Sequence, residues 1–192
     1  MSRYGLVIDL ERCIGCQACT VACKMENSIE HDSWMQVKMS DGQPMDTAHG
    51  RFPNVTLNYL PVTCMHCQDP PCVDACPTGA IFKRMDGIVI LVPSLCNGCE
   101  ACLTACPYEV IRWDEAMGIA HKCHLCAPRI DQGLEPFCVI CCEGQAMHFG
   151  DLSNPESEVS RFVSLRSGYT LKPEERTGPS VYYLPPLEKR PI

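Results

Sequence analysis

Cys13-Ile14-Gly15-Cys16-Gln17-Ala18-Cys19-Thr20-Val21-Ala22-Cys23 decides how this chain folds. Its spacing is C-x2-C-x2-C-x3-C. The same spacing returns as Cys96, Cys99, Cys102 and Cys106, with Pro107 directly after. A C-x2-C-x4-C-x3-C variant, Cys64, Cys67, Cys72 and Cys76, closes on Pro77. In the fourth group, Cys123, Cys126, Cys138 and Cys142, the middle gap stretches to eleven residues. Sixteen of the seventeen cysteines thus fall into four groups of four.

A [4Fe–4S] cube needs four thiolate corners, and three cysteines within seven residues let one loop wrap three of them. Sixteen thiolates make four such sets, so the chain reads as an electron wire. Gly15 and Gly98 sit just before the second cysteine of their groups, where a wrapping loop calls for positive φ and close approach. Pro77 and Pro107 stop the chain from continuing unchanged past the fourth cysteine. A structural zinc site prefers two C-x2-C pairs separated by a spacer. The fourth group alone fits that description, whereas the first and third crowd in a third cysteine. A disulfide framework suits a small secreted chain with an even cysteine count. This chain has 192 residues and an odd count, and Met1 to Leu10 lacks the apolar core and cleavage site of a secretory signal.

Aromatic residues make up 7% of the sequence, too few for a large aromatic core. The clusters are therefore expected to act as much of the core, and the cluster-free chain to be largely unfolded. The formal charge is −7, and each oxidised cube with its thiolates adds roughly −2. That balance argues against nucleic acid as a partner and is compatible with a basic protein surface or with solubility alone. No apolar run approaches a membrane span. Thiolate ligands need a reducing environment during assembly, so assembly is expected in the cytoplasm. The final site is expected to be the cytoplasm, or the outer face of the membrane after export with a partner that carries the signal.

An internal repeat runs through the chain. Residues 8–23 (IDLERCIGCQACTVAC) resemble residues 91–106 (LVPSLCNGCEACLTAC) at an offset of 83. Cys72 to Cys76 is matched by Cys138 to Cys142 at an offset of 66. Two kinds of half-module, each used twice, predict an α+β fold of duplicated ferredoxin-like units. Strands are predicted at Leu6-Val7-Ile8, Ile88 to Val92 and Val110 to Trp113, with brief helices at the end of each cysteine run. In the cysteine-free insertion, residues 24–63, Trp34 to Met39 and Val55 to Leu60 read as strands around a loop from Asp41 to Pro53. A helix is expected to start at Asn154-Pro155-Glu156, to place Val159, Phe162, Val163 and Arg166 at helical spacing, and to end at Gly168. Lys172 to Ile192, with five prolines, reads as an extended C-terminal arm or a frayed terminus.

Four stretches together resemble a known family: IDLERCIGCQACTVACKMEN, PVTCMHCQDPPCVDACPTGAIF, CNGCEACLTACPYEVIRW, and KCHLCAPRIDQGLEPFCVICC with FGDL after it. They are similar to the four-cluster iron–sulfur subunits of the dimethyl sulfoxide reductase superfamily, and the similarity covers nearly the whole chain. The resemblance implies an electron-transfer subunit, not catalytic by itself. A separate molybdenum- or tungsten-bis-pterin subunit does the chemistry. A membrane anchor, quinone-linked protein or soluble donor completes the path. The resemblance also implies how the ligands are shared. One cluster takes Cys13, Cys16, Cys19 and Cys142, and its neighbour Cys23, Cys123, Cys126 and Cys138. A third takes Cys64, Cys67, Cys72 and Cys106, and the last Cys76, Cys96, Cys99 and Cys102. Residues 1–23 with 120–150 then form one module, 64–119 the other, and 151–192 a C-terminal helix and tail. Spacing alone supports four clusters but not this exchange.

Several residues stand outside that scheme. Cys141 is the supernumerary thiol, expected as a small buried residue where Ala75 stands in the matching segment; its other reading is a substitute ligand or a thiol that tunes the nearby cluster. Glu143 occupies the place of Pro77; close to a cluster, its charge would lower the potential. His66 and His124 lie inside cysteine pairs but lack the spacing of a Rieske centre. Lys83, Arg84 and Lys122 have two readings, contact with a partner or a cluster's negative charge, and a solvated surface; the solvated surface is the expectation. Two other functions fit cysteine groups of this kind: a free-standing polyferredoxin and a structural zinc protein.

Overall fold

The computed structural model describes residues 2–30 and 32–187. The chain runs β1 (Tyr4–Asp9), α1 (Ala18–Asn27), β2 (Gln36–Met39), β3 (His49–Arg51), β4 (Asn54–Thr56), β5 (Tyr59–Val62), α2 (Pro71–Asp74), β6 (Ile81–Lys83) and β7 (Val89–Leu91). It continues with α3 (Ala101–Ala105), β8 (Arg112–Asp114), β9 (Ile119–His121), α4 (Ala127–Ile130), α5 (Phe137–Ile140), β10 (Met147–Asp151), α6 (Glu158–Leu165) and β11 (Val181–Leu184). Helices and strands are short and mixed, an α+β architecture. No described helix is long and apolar enough to cross a membrane.

β1 is the centre of a three-stranded sheet. β10 pairs with it antiparallel, Leu6 opposite Phe149, and β11 pairs parallel on its other edge, Leu6 opposite Val181. A half-buried strand would alternate apolar and polar residues, but Leu6-Val7-Ile8 does not, because both faces of this sheet are covered. Leu6 and Ile8 face the main core among the cysteine groups. Val7 faces the other way, into a small core with Val159, Phe162 and Val163 of α6. Ser157 caps α6 by accepting the Ser160 N–H at 3.2 Å. The helix therefore begins later than Asn154 suggested: the Asn154 side chain accepts the Glu156 N–H in a turn of its own instead. Gly168 does close the helix, donating its N–H to Val163.

Two further expectations need correction. Val55 to Leu60 is not one strand but two, β4 and β5, and the expected loop contains β3, which pairs with β4 in a hairpin. The cause is that β5 must turn back to pair with β2, Gln36 opposite Val62, so its register is set by a partner and not by local alternation. The inner side of this segment, Met35, Val37, Met39, Tyr59 and Val62, belongs to the main core. The arm from Lys172 is equally integral between Thr177 and Leu184. Val181, Tyr183 and Leu184 are fully buried, and Ser180 donates its N–H to Met65 at 2.8 Å. The last five residues of the expected arm, 188–192, lie outside the described residues.

Cysteines make up much of two of the three cores. Cys19, Cys23, Cys64, Cys67 and Cys138 are buried in the main one, and Cys72 and Cys102 in a second one with Ile81, Val89, Ile111 and Ala120.

Candidate iron–sulfur sites

The loops that carry the cysteines are wound by residues with positive φ. Gly15 (69°) and Gly98 (74°) precede the second cysteine of their groups, and Gln17 (61°) and Glu100 (58°) follow it at the helix entry. A Cβ on Gly15 would lie 2.4 Å from the Tyr59 ring, and one on Gly98 would lie 2.7 Å from the Gly118 carbonyl oxygen. These turns lead into helices that present the later cysteines. Cys19 and Cys23 lie four apart on α1. Cys72, Cys102 and Cys138 lie on α2, α3 and α5, each with its successor four residues on. On α1 four residues of helix rise about 6 Å, so Cys19 and Cys23 stand one turn apart; α2, α3 and α5 end before the later cysteine, and Cys76, Cys106 and Cys142 lie just past the helix ends.

The thiols are gathered accordingly. One cavity is lined by Cys13, Cys16, Cys19 and Cys142. A second is lined by Cys23, Cys123, Cys126 and Cys138 with Leu6, Trp34 and Thr63. A third is lined by Cys64, Cys67, Cys72 and Cys106 with Tyr108 and Lys122. Of the remaining four thiols, Cys102 is raised first by burial, and Cys96, Cys76 and Cys99 lie close enough to add to that rise. Among the described residues, no three His, Cys, Asp or Glu side chains converge closely enough to hold one metal ion; the thiols surround spaces instead. That donor set, four sulfurs around a cavity, fits an iron–sulfur cube.

Burial first, and then the neighbouring thiols Cys13 and Cys142, push Cys19 up to about 12. Burial raises Cys72 and Cys123 to about 12 and Cys67 to about 11. Cys138 rises well above the ordinary thiol range for the same reason. Without iron these groups hold their protons at neutral pH, so loading a metal must release them. Cys76 moves the other way. Burial raises it, but N–H donors from Ile81, Thr78 and Ala80 and the Thr78 hydroxyl outweigh that. Backbone donors reach other sulfurs too, from Leu125 to Cys123 at 3.3 Å and from Ala146 to Cys142 at 3.2 Å. Such bonds stabilise thiolate charge.

Residues 12–80 and residues 55–152 each match a 4Fe-4S dicluster domain. The sequence is 39% identical to a sulfite dehydrogenase subunit of Allochromatium vinosum over 99% of its own length and 86% of that protein's. It is 38% identical to a polysulfide reductase polypeptide of Wolinella succinogenes, covering 95% of this sequence and 94% of that one. It is 35% identical to the arsenate respiratory reductase iron-sulfur subunit ArrB of Shewanella sp. strain ANA-3, over 95% and 96%. This polypeptide belongs to the iron–sulfur beta subunits of the molybdopterin oxidoreductases. Two dicluster domains give it four [4Fe–4S] clusters. It is an electron-transfer subunit and not a catalytic one.

The beta-subunit frame also assigns the leftover residues. Cys141 is half-buried, as Ala75 is in the matching segment, and lines none of the three thiol cavities; it is more open than its expectation as a buried residue. Glu143 is exposed on an open groove that Cys142 also lines, so water screens its charge. His66 is buried and uses Nδ1 to accept the Val89 N–H at 3.0 Å. His124 Nδ1 accepts the Ala127 N–H at 3.2 Å, and the ring meets Trp34 edge-on. Lys83 is exposed, as expected. Arg84 is not simply solvated, since it forks onto Asp131 at 2.5 and 3.1 Å. Lys122 departs furthest from its expected solvated position: it is 3% exposed and reaches the third cavity. A single Lys before a cysteine carries no sequence signal of burial; the alternation Ile119-Ala120-His121 on β9 was the available hint.

Proposed function

We propose that this chain relays electrons to or from a molybdenum- or tungsten-bis-pterin catalytic subunit through four clusters held in a fixed order. The ligand sets are Cys13, Cys16, Cys19 and Cys142; then Cys23, Cys123, Cys126 and Cys138; then Cys64, Cys67, Cys72 and Cys106; then Cys76, Cys96, Cys99 and Cys102. When bound, a [4Fe–4S] cluster supplies a one-electron carrier whose potential its surroundings set. The observation that carries this reading is the partition of twelve thiols among three cavities, four to each.

The chain's own residues set the order. α1 joins the first set to the second through Cys19 and Cys23, and Cys138 senses Cys19. The second meets the third where Cys123 senses Cys64. The third set joins the fourth through Cys72 on α2 and Cys76 just past its end, and through Cys102 on α3 and its C-cap Cys106. This arrangement supports two duplicated ferredoxin-like modules, residues 1–23 with 120–150 and residues 64–119, with 24–63 inserted and 151–192 as the C-terminal helix and tail. Among the sixteen ligands, Cys16 and Cys99 are the exposed ones. They belong to the first and fourth sets, so the two ends of the series are where partner proteins exchange electrons with it. A catalytic subunit at one end and a membrane anchor or soluble carrier at the other suits that layout. Reducing conditions at assembly place loading in the cytoplasm, with export in a partner's company as the route to an outer-face location.

Replacing one cysteine per set with serine, followed by low-temperature electron paramagnetic resonance of the reduced chain, tests the sets. Each variant should lose or convert one signal, and Cys142→Ser should affect the same signal as Cys13→Ser. If Cys142→Ser instead matched Cys138→Ser, the partition would be wrong. A free-standing polyferredoxin would purify without a larger molybdopterin protein.

A further inference from the structure

Two charged side chains are buried among the described residues, Asp9 and Lys122. Asp9 has its counter-ion: Arg166 Nη1 stands 3.0 Å from Oδ2. Lys122 pairs with no carboxylate among the described residues. Its three N–H bonds go to the Val89 carbonyl at 2.5 Å, the Cys123 carbonyl at 2.8 Å and Cys64 Sγ at 3.6 Å. That set uses every donor of an ammonium, and all three partners are acceptors. A buried cation without an anion is strongly unfavourable. The anion is supplied by what fills the adjacent cavity, since four thiolates outweigh the charge of the iron–sulfur core they hold.

We infer that Lys122 is a potential-setting residue for the cluster held by Cys64, Cys67, Cys72 and Cys106, and the electrostatic link between that cluster and the one held by Cys123. The inference rests on the ligand sets proposed above. Reduction adds one electron to a site that is already negative, and a cation touching one of its sulfurs stabilises the reduced form over the oxidised one. The sulfur contact is to Cys64, whereas the second set is approached only through the Cys123 backbone. Lys122 therefore raises the third cluster's potential more than the second's, and biases electrons toward the middle of the series. A purely structural lysine, stitching Val89 to Cys123, would affect stability without this selectivity.

Potentiometric titration of the full, cluster-loaded chain, followed by electron paramagnetic resonance, tests this with Lys122→Gln and Lys122→Arg. Lys122→Gln keeps a donor and removes the charge. It should make reduction of one cluster about tenfold less favourable, about 59 mV for a one-electron couple, with a smaller effect on its neighbour and none on the two end clusters. Lys122→Arg should stay within about threefold of the unaltered chain, by charge retention. A Lys122→Gln chain that holds four clusters with all potentials unchanged overturns the inference. So does one in which all four shift equally. If Lys122→Gln fails to hold iron, the unaltered chain decides. With ¹⁵N-lysine, pulsed resonance should detect one nitrogen coupled to a reduced cluster, because Lys122 is the one buried lysine among the described residues. Absence of that coupling overturns the inference. An unaltered chain without clusters would instead overturn the ligand sets themselves.

Discussion

The Tyr183 hydroxyl donates to the Pro61 carbonyl at 2.9 Å, and both ends of that bond are buried. It ties β11, near the C-terminus, to β5 of the cysteine-free segment. Tyr183 is completely enclosed, and burial holds its hydroxyl far above the ordinary phenol range. The C-terminal arm is therefore part of the core that positions the first two cysteine sets.

Tyr183→Phe removes the donor and leaves the Pro61 carbonyl without it. The expected cost is about 1–3 kcal/mol, read from denaturant unfolding of the cluster-loaded protein. Truncation ahead of Ser180 removes β11 altogether and should prevent recovery of iron-loaded protein. Retention of full stability by Tyr183→Phe would place the arm outside the core.

Gly98→Ala meets a backbone obstacle. The new methyl would lie 2.7 Å from the Gly118 carbonyl oxygen, at a φ of 74°. Side chains rarely tolerate that conformation. Iron content should fall by about a quarter, one cluster in four by the ligand count, with the fourth set's signal lost. Gly118→Ala has open space around it, though also positive φ, and should cost stability without costing iron.

Cys141 and Cys142 are neighbours with different surroundings. Cys142 lines the first cavity and accepts the Ala146 N–H; Cys141 lines none of the three. Cys141→Ala should leave iron content and every resonance signal unchanged. Cys142→Ala should remove or convert one cluster. Identical losses in both variants would show that Cys141 can serve as a ligand.

Arg84 bridges β6–β7 to the end of α4 by its fork onto Asp131. The pair is partly exposed, with side-chain exposures of 28% and 52%. Arg84→Ala, which also removes the pair with Asp86 at 2.8 Å, should therefore lower stability only slightly, and 1 M salt should erase most of the difference. A larger loss, insensitive to salt, would mean that the bridge is structurally essential.

The cysteine groups are legible in the sequence because three ligands of a cube come from one loop, and Gly15 and Gly98 mark its turns. The continuous apolar run Leu6-Val7-Ile8 likewise identifies β1. Which groups exchange their fourth cysteine is not legible, because bringing Cys142 to Cys13 depends on β1 pairing with β10 across the whole chain. The pairing of β11 is hidden for the same reason: Val181-Tyr182-Tyr183-Leu184 carries strand-forming residues, but its partner lies at the opposite end. Pairing of Lys122 with a cluster's charge is one of its sequence readings, but its burial is not legible, because burial of a cation depends on the anion placed beside it. Asn154-Pro155 misleads about the start of α6, since a side-chain turn and a helix cap use the same residue types.

Iron and acid-labile sulfide per polypeptide, measured on anaerobically isolated protein, test the central claim most directly. Four clusters on sixteen cysteines predict about sixteen of each, with a broad visible absorption that bleaches on reduction. A well-folded protein that is colourless, free of iron and sulfide, or loaded with zinc would contradict the account.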